Sequence, residues 1–183
     1  VTGVQTCALR ISRELLELHP LGVRGGYAQG DVTQFARALT GWTLPGPDGA
    51  DTFRFAPALH EPGARSVLGR RYAPAGEEQA RAILHDLAVS PATARHVGAK
   101  LARHFVADDP PAALVERLAR SFERSGGDLP SLYRELVAAP ESWQPGPAKF
   151  KSPWDWALSG MRALGRREMP AAQLVNLMNQ LGQ

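Results

Sequence analysis

Residues 13–42 read RELLELHPLGVRGGYAQGDVTQFARALTGW, and this stretch decides the fold. Apolar residues recur at helical spacing on both sides of a glycine-rich turn, which predicts amphipathic helices at residues 12–19 and 31–39. Pro20 ends the first helix, because a residue that precedes proline avoids helical backbone geometry. Asp31 is expected at or near the start of the second helix, where a carboxylate is favourable. The short turn predicts that the two helices are antiparallel neighbours.

The same stretch contains the densest group of carboxylate, imidazole and guanidinium side chains in the sequence. The candidate catalytic residues are Glu14, Glu17, His19 and Arg37, with His60 farther along the chain. On a helix, a Glu-x-x-His metal site needs its ligands three residues apart, and His19 has neither glutamate at that spacing. We therefore expect no metal and, because no nucleotide-binding loop is present, no cofactor. Arg37 is expected to pair with Glu14 or Glu17, and the alternative to catalysis is a buried, paired polar cluster.

Helical periodicity disappears at residues 43–74, which predicts a small β-hairpin or loop insertion. Residues 52–56 alternate between apolar and polar side chains, as a half-buried strand does. Residues 66–68 and 71–73 are expected to pair with that strand around Gly69. The insertion contains His60, and a lone histidine in a loop is more often solvated than catalytic.

Helical patterns return after the insertion. Five helices are expected to begin near Glu77, Pro91, Asp109, Asp128 and Ser152. A last helix is predicted at residues 171–181. The sequence thus predicts a mostly α, multi-helical single domain with the insertion around residues 43–74.

Two groups of basic residues are candidates for anion binding. His96, Lys100, Arg103 and His104 share the outer face of the helix that begins near residue 91, and the first three are the candidates. Lys149 and Lys151 lie just before a helix N-terminus, where anions are favourable. The alternative for both groups is a solvated surface. The net charge of +3 reflects mainly arginine in an Ala-, Gly- and Pro-rich chain, which indicates a GC-rich genome, so a nucleic-acid partner is not favoured.

The first twelve residues, VTGVQTCALRIS, need a separate interpretation. Except at Arg10, where proline is expected, they are the translation of the reverse complement of a widely used sequencing-adapter oligonucleotide. We interpret residues 1–12 as adapter-derived, exclude them from the fold and expect few buried contacts from them. They include the only cysteine, Cys7, so residues 13–183 have no disulfide. No apolar run approaches the ~18 residues of a membrane span.

Several segments resemble one bacterial family throughout residues 13–183. The segments are residues 13–19, GGYAQGDV, ARALTGW, PATARHVGAKLARHFVADDPP and KFKSPWDWALSGMRALG. They are similar to the family called domain of unknown function 1800. The resemblance implies that residues 13–183 are the C-terminal part of a longer helical protein, because family members usually carry a long N-terminal half. The chain departs from the family pattern at Pro20, where threonine is common, and at Glu61, where aspartate is common.

The resemblance implies a context rather than a reaction. Genes of this family often neighbour those of a second, exported family, which favours an exported location and a co-encoded exported partner. The leading hypothesis is a component of an exported or envelope-associated system that acts with a partner protein. A hydrolase-like enzyme, whose site needs the N-terminal half, is the alternative. Anion or nucleic-acid binding is a third hypothesis, and the oligomeric state stays open.

Overall fold

The computed structural model describes residues 2–22, 25–43 and 53–182. This part of the chain contains eight α-helices and two small antiparallel hairpins, so the mostly α fold with a small β insertion is confirmed. The helices are α1 (Thr2–Leu18), α2 (Gln29–Leu39), α3 (Glu77–Ala88), α4 (Pro91–Phe105), α5 (Ala112–Arg124), α6 (Leu129–Ala138), α7 (Pro153–Ala163) and α8 (Ala171–Gln180). The strands are β1 (Trp42–Thr43), β2 (Arg54–Phe55), β3 (Arg65–Val67) and β4 (Arg70–Tyr72).

Helix α1 begins at Thr2, well before the predicted start at residue 12. The hydroxyl of Ser12 is fully buried and donates a hydrogen bond to the carbonyl of Ala8, 2.7 Å away, one helical turn earlier. Ala8 is also buried, and Leu9 packs against the hydrophobic core. The expectation of few buried contacts from residues 1–12 is therefore wrong for Ala8, Leu9 and Ser12.

The helices predicted after the insertion are all present, although α5 begins at Ala112 rather than Asp109. Side-chain caps fix three of the starts, because the first amides of a helix have no partner within it. Ser90 accepts from the amide of Thr93 at the start of α4. Asp128 and Ser152 cap α6 and α7 in the same way.

The strand pairing differs from the prediction. Strand β2 pairs with β1, and β3 pairs with β4, so the expected pairing of residues 66–68 and 71–73 with the earlier strand is wrong. The physical reason is the turn between β3 and β4. Leu68 and Gly69 both have positive φ angles, 51° and 75°, as a two-residue hairpin loop requires. The Asp31 carboxylate accepts from the amide of Leu68 (2.7 Å) and so fastens this hairpin to α2.

Two hydrophobic clusters form the interior. The first joins α1, α2, α3 and the β3–β4 hairpin around Leu16, Phe35 and Ile83. The second joins α4, α5 and α6 around Leu118 and Leu132. Helix α7 adds one buried residue and α8 adds none within the described part of the chain. Helix α4 contacts both clusters, the first through Ala92 and the second through Ala94, and a cleft of about 660 Å³ opens beside it.

Candidate functional site

The two glutamates of α1 have separate partners. Glu14 accepts from the Nε of Arg10, 3.1 Å away, in an exposed pair one turn apart. Glu17 accepts a hydrogen bond of 2.7 Å from the hydroxyl of Tyr27. That hydrogen bond favours the neutral phenol and is the main cause of the raised pKa of Tyr27. One carboxylate therefore has its partner within α1 and the other in the turn before α2, so the two do not form a shared centre.

Arg37 does not pair with either of these glutamates, so that prediction is wrong. Its Nε lies 3.5 Å from the Oε1 of Glu61, in the insertion. The same carboxylate oxygen lies 3.5 Å from Arg65, whose side chain is almost completely buried. Glu61 thus bridges the outer face of α2 and the start of the β3–β4 hairpin.

His60 is held by the backbone at the end of α2. Its Nδ1 lies 2.9 Å from the carbonyl oxygen of Thr40, and a carbonyl can only accept, so Nδ1 carries the proton of this hydrogen bond. The hydroxyl of Thr40 donates to the carbonyl of Arg37 and accepts from the amide of Glu61. Among the described residues, no hydrogen bond or ion pair joins His60 to Glu14, Glu17 or His19.

A cleft beside α4, here called the cationic cleft, is lined by three basic side chains and two histidines. Its volume is about 660 Å³. The titratable residues that line it are His19, Lys100, Arg103, His104 and Lys149. They come from the end of α1, from α4 and from the segment before α7. No carboxylate lines the cleft in the part of the chain that the structure describes.

Local contacts fix these cations. Lys100 donates to the carbonyl of Leu18 at the C-terminal end of α1, over 3.3 Å. The Nε of Arg103 donates to the carbonyl of Asp108, also over 3.3 Å. Lys149 lies 2.6 Å from a carboxylate oxygen of the same aspartate, and this contact is the main cause of the lowered pKa of Asp108. Lys100 and Arg103 have no ion pair within the described residues, so their charges face the cleft without a carboxylate partner.

The cleft brings together only part of the predicted anion-binding set. Lys100, Arg103 and Lys149 line it, whereas His96 and Lys151 do not. His96 is half-buried, with Nε2 3.4 Å from the carbonyl of Leu18. Lys151 instead donates to the hydroxyl of Ser159 on α7.

Two cleft residues did not belong to the predicted anion-binding set. His104 follows Lys100 by four residues, and this spacing places both on one face of α4. His19 belongs to the predicted catalytic set and instead lines the cleft. The sequence already places His104 on the basic face of α4, whereas the approach of the end of α1 to α4 has no local signal in the sequence.

The described residues contain neither a metal-binding cluster nor a helix that could cross a membrane. Residues 2–22, 25–43 and 53–182 contain no group of three or more His, Cys, Asp or Glu side chains arranged to hold a metal ion. The expected absence of a metal stays a prediction. No helix among these residues combines the length and apolar character that crossing a membrane requires.

Comparison with known families assigns the chain. Residues 11–183 match the family model described as a protein of unknown function, DUF1800. The chain belongs to the DUF1800 family. No curated protein and no solved structure matches it. The DUF1800 match confirms the resemblance and begins at Ile11, so it leaves out residues 1–10; the adapter interpretation of residues 1–12 stays a prediction.

Proposed function

We propose that this DUF1800 chain is a non-catalytic component that acts with a partner protein and binds an anionic group of that partner in the cationic cleft. The observation that carries the proposal is the convergence of three separate segments on one cleft that no described carboxylate lines. Lys100 and Arg103 have no ion pair with a described carboxylate, so their mutual repulsion costs folding free energy, and an anionic ligand offsets that cost. Electrostatic complementarity of this kind favours rapid and selective association.

Lys100 and Arg103 are the central residues of the proposed site. Both are exposed and belong to α4, so the helix holds them at a fixed separation. The planar guanidinium of Arg103 can hold a carboxylate through two hydrogen bonds, and Lys100 adds a compact charge beside it. Lys149 contributes less, because Asp108 already neutralises much of its charge.

A fluorescent hexaglutamate peptide tests the anion site. We expect measurable binding in low salt, and weaker binding as added salt screens the charges. The double variant Lys100→Ala/Arg103→Ala should reduce affinity about tenfold, since each exposed charge contributes up to about 1 kcal/mol. Arg120→Ala/Arg124→Ala is the matched control, because these exposed arginines of α5 line no described cleft and should leave the affinity unchanged.

Two results would contradict the anion site. Equal losses in the two double variants would mean that the peptide responds only to the net charge of the protein. Tighter binding of a single-stranded oligonucleotide of equal charge, lost in Lys100→Ala/Arg103→Ala, would favour the nucleic-acid hypothesis over a protein partner.

The proposed setting is an exported or envelope-associated bacterial system with a co-encoded partner. Membership of DUF1800 supports this setting through the gene context that the resemblance implies. Fractionation of the source bacterium, followed by immunoblotting, tests the location. Detection of the full-length protein in the cytoplasmic fraction alone would overturn the exported setting and leave the anion site open.

A hydrolase-like enzyme is the alternative function, with Glu14, Glu17, His19 and His60 joined by residues of the N-terminal half. In its favour, the contact of His60 with Thr40 leaves Nε2 without a hydrogen bond among the described residues, as a general base or a metal ligand requires. Elemental analysis of the full-length protein tests this alternative. One transition metal per chain, lost in His60→Ala but kept in the exposed control His85→Ala, would favour the enzyme; we expect none.

A further inference from the structure

The cationic cleft continues at both ends into apolar grooves. The first groove has a volume of about 390 Å³ and shares His19 and Val97 with the cleft. It is lined mainly by apolar side chains of α1, α3 and α5, and by Leu129. The second groove has a volume of about 470 Å³ and shares Leu101 and Phe105 with the cleft. The three concavities therefore form one surface, here called the α4 groove.

One face of α4 forms the floor of this surface. Thr93 lines the first groove, Val97 lines the first groove and the cleft, and Leu101 lines the cleft and the second groove. These residues are spaced by four, so they lie one above the other on the helix. From Thr93 to Phe105 the helix rises about 18 Å, so a partner helix of about 12–14 residues spans this face.

The pattern of the α4 groove is apolar, then cationic, then apolar. Several of its apolar side chains are largely exposed; Phe105 is 64 % exposed and Val137 is 62 % exposed. An amphipathic helix commonly binds in a groove of this kind through apolar anchors one or two turns apart. We infer that the α4 groove binds an amphipathic helix of a partner protein, with carboxylates at its centre and apolar side chains toward both ends.

The position of the positive charge at the centre of the groove favours a partner helix over a fatty acid or a second copy of this chain. A fatty acid has its carboxylate at one end, so it would leave one apolar groove empty when its charge lies in the central cleft. A second copy of this chain offers α7 and α8, which add least to the interior. Helix α8 has no acidic residue, and the one acidic residue of α7, Asp155, lies in its first turn rather than at its centre. A partner helix with central carboxylates matches all three parts of the groove. This inference rests on the proposed anion site and extends it to a specific class of partner.

The test uses a designed helical peptide of about 14 residues, with leucines near both ends and two central glutamates. It should bind the 183-residue chain more tightly than hexaglutamate does. Replacement of its glutamates by glutamine should weaken binding about tenfold. In the protein, Phe105→Ala and Leu129→Ala should each weaken binding at least about fivefold, because each removes an apolar contact at one end of the groove.

Leu164→Ala is the matched control, because Leu164 is 77 % exposed and lines no described cleft. It should leave peptide binding unchanged, and Leu129→Ala, which lines the first groove but not the cationic cleft, should leave hexaglutamate binding unchanged. Hexaglutamate binding that depends on Lys100 and Arg103, without tighter binding of the helical peptide, would overturn this inference and leave the proposed anion site intact. If the wild-type chain bound neither hexaglutamate nor the helical peptide, both this inference and the proposed anion site would be overturned.

Two further measurements decide between occupants. The first measurement is binding to vesicles of phosphatidylglycerol and phosphatidylcholine. If the affinity for these vesicles exceeded the affinity for the peptide and was lost in Phe105→Ala, the groove would bind lipid and the inference would be overturned. Dimerisation in sedimentation experiments that Phe105→Ala abolishes would assign it to a second copy. A protein that is monomeric, does not bind the vesicles and binds the helical peptide would support a partner helix as the occupant of the groove.

Discussion

Arg37 of α2 forms its ion pair with Glu61, and the Nε of the arginine lies 3.5 Å from the Oε1 of the glutamate. This pair joins α2 to the insertion rather than to α1. The two side chains are 46 % and 39 % exposed, so water screens the attraction between them. Arg65 contacts the same oxygen of Glu61 from its buried position, which makes the glutamate the shared element of the contact.

Arg37→Ala should therefore lower the free energy of unfolding by no more than about 1 kcal/mol. A double-mutant cycle with Glu61→Gln, followed by denaturant unfolding, should show coupling of a few tenths of a kcal/mol or more. The cycle of Arg37→Ala with Glu14→Gln is the control and should be additive. Coupling to Glu14 but not to Glu61 would contradict the observed pairing.

Ser12 provides a second test, because it is fully buried and lies in the stretch interpreted as adapter-derived. Ser12→Leu should lower the free energy of unfolding by about 1–3 kcal/mol, because the larger side chain overfills a packed interior. Ile11→Ala is the adjacent control; Ile11 is exposed, so its loss should stay within about 0.5 kcal/mol. A neutral Ser12→Leu would mean that the N-terminal part of α1 does not pack against the domain.

The helices could be predicted from the sequence because their signals are local. Asp128 and Ser152 precede apolar residues at helical spacing, and both cap the helices expected there. The strand pairing could not be predicted in the same way. Its register depends on Leu68, a non-glycine residue with a positive φ angle, which an amide contact to Asp31 holds in place. These two residues are 37 positions apart, so the local pattern of apolar and polar residues does not predict their contact.

The candidate site likewise has one part that local sequence patterns predict and another that depends on long-range packing. The basic face of α4 was visible in the spacing of Lys100, Arg103 and His104. The addition of His19 and Lys149 depends on the packing of α1 and of the segment before α7 against α4. The pairing of Arg37 was missed because α1 and α2 are adjacent in sequence, whereas Glu61 approaches α2 only after the insertion has folded back.

Tyr72 makes the stability dependent on alkaline pH. Its hydroxyl donates to the carboxylate of Asp86 over 2.8 Å, and burial together with this bond raises the pKa of Tyr72 from 10.0 to about 12. The unfolded chain releases this proton near pH 10, whereas the folded chain keeps it. The contribution is therefore complete below pH 10 and is lost as the pH rises through about 12.

Tyr72→Phe should lower the free energy of unfolding by about 1 kcal/mol at neutral pH, because one hydrogen bond is lost while Arg70 still pairs with Asp86. The difference between wild type and variant should shrink as the pH rises from 10 toward 12, as urea unfolding at several pH values can show. Tyr133→Phe is the control, since that exposed hydroxyl has no hydrogen bond among the described residues. A constant difference between wild type and Tyr72→Phe would contradict the raised pKa.

Asp108 fastens the segment before α7 to the end of α4. One oxygen accepts from Lys149 over 2.6 Å, and the other accepts from the amide of Phe150 over 2.7 Å. These two bonds favour the ionised carboxylate, so the pKa of Asp108 is lowered from 3.8. The bonds are therefore complete above pH 3.8 and are lost as the pH falls through the lower value of the folded chain.

The amide of Phe150 reports this attachment directly. In wild type, its NMR chemical shift should change with pH at a midpoint below 3.8, and its hydrogen exchange should be slow above that pH. Asp108→Asn should speed the exchange and remove the titration, because a neutral amide oxygen is a weaker acceptor than a carboxylate. Asp109→Asn is the matched control, since this exposed neighbour has no hydrogen bond or ion pair among the described residues. If the titration persisted in Asp108→Asn and disappeared in Asp109→Asn, Asp109 rather than Asp108 would hold the amide of Phe150. That result would contradict the observed attachment.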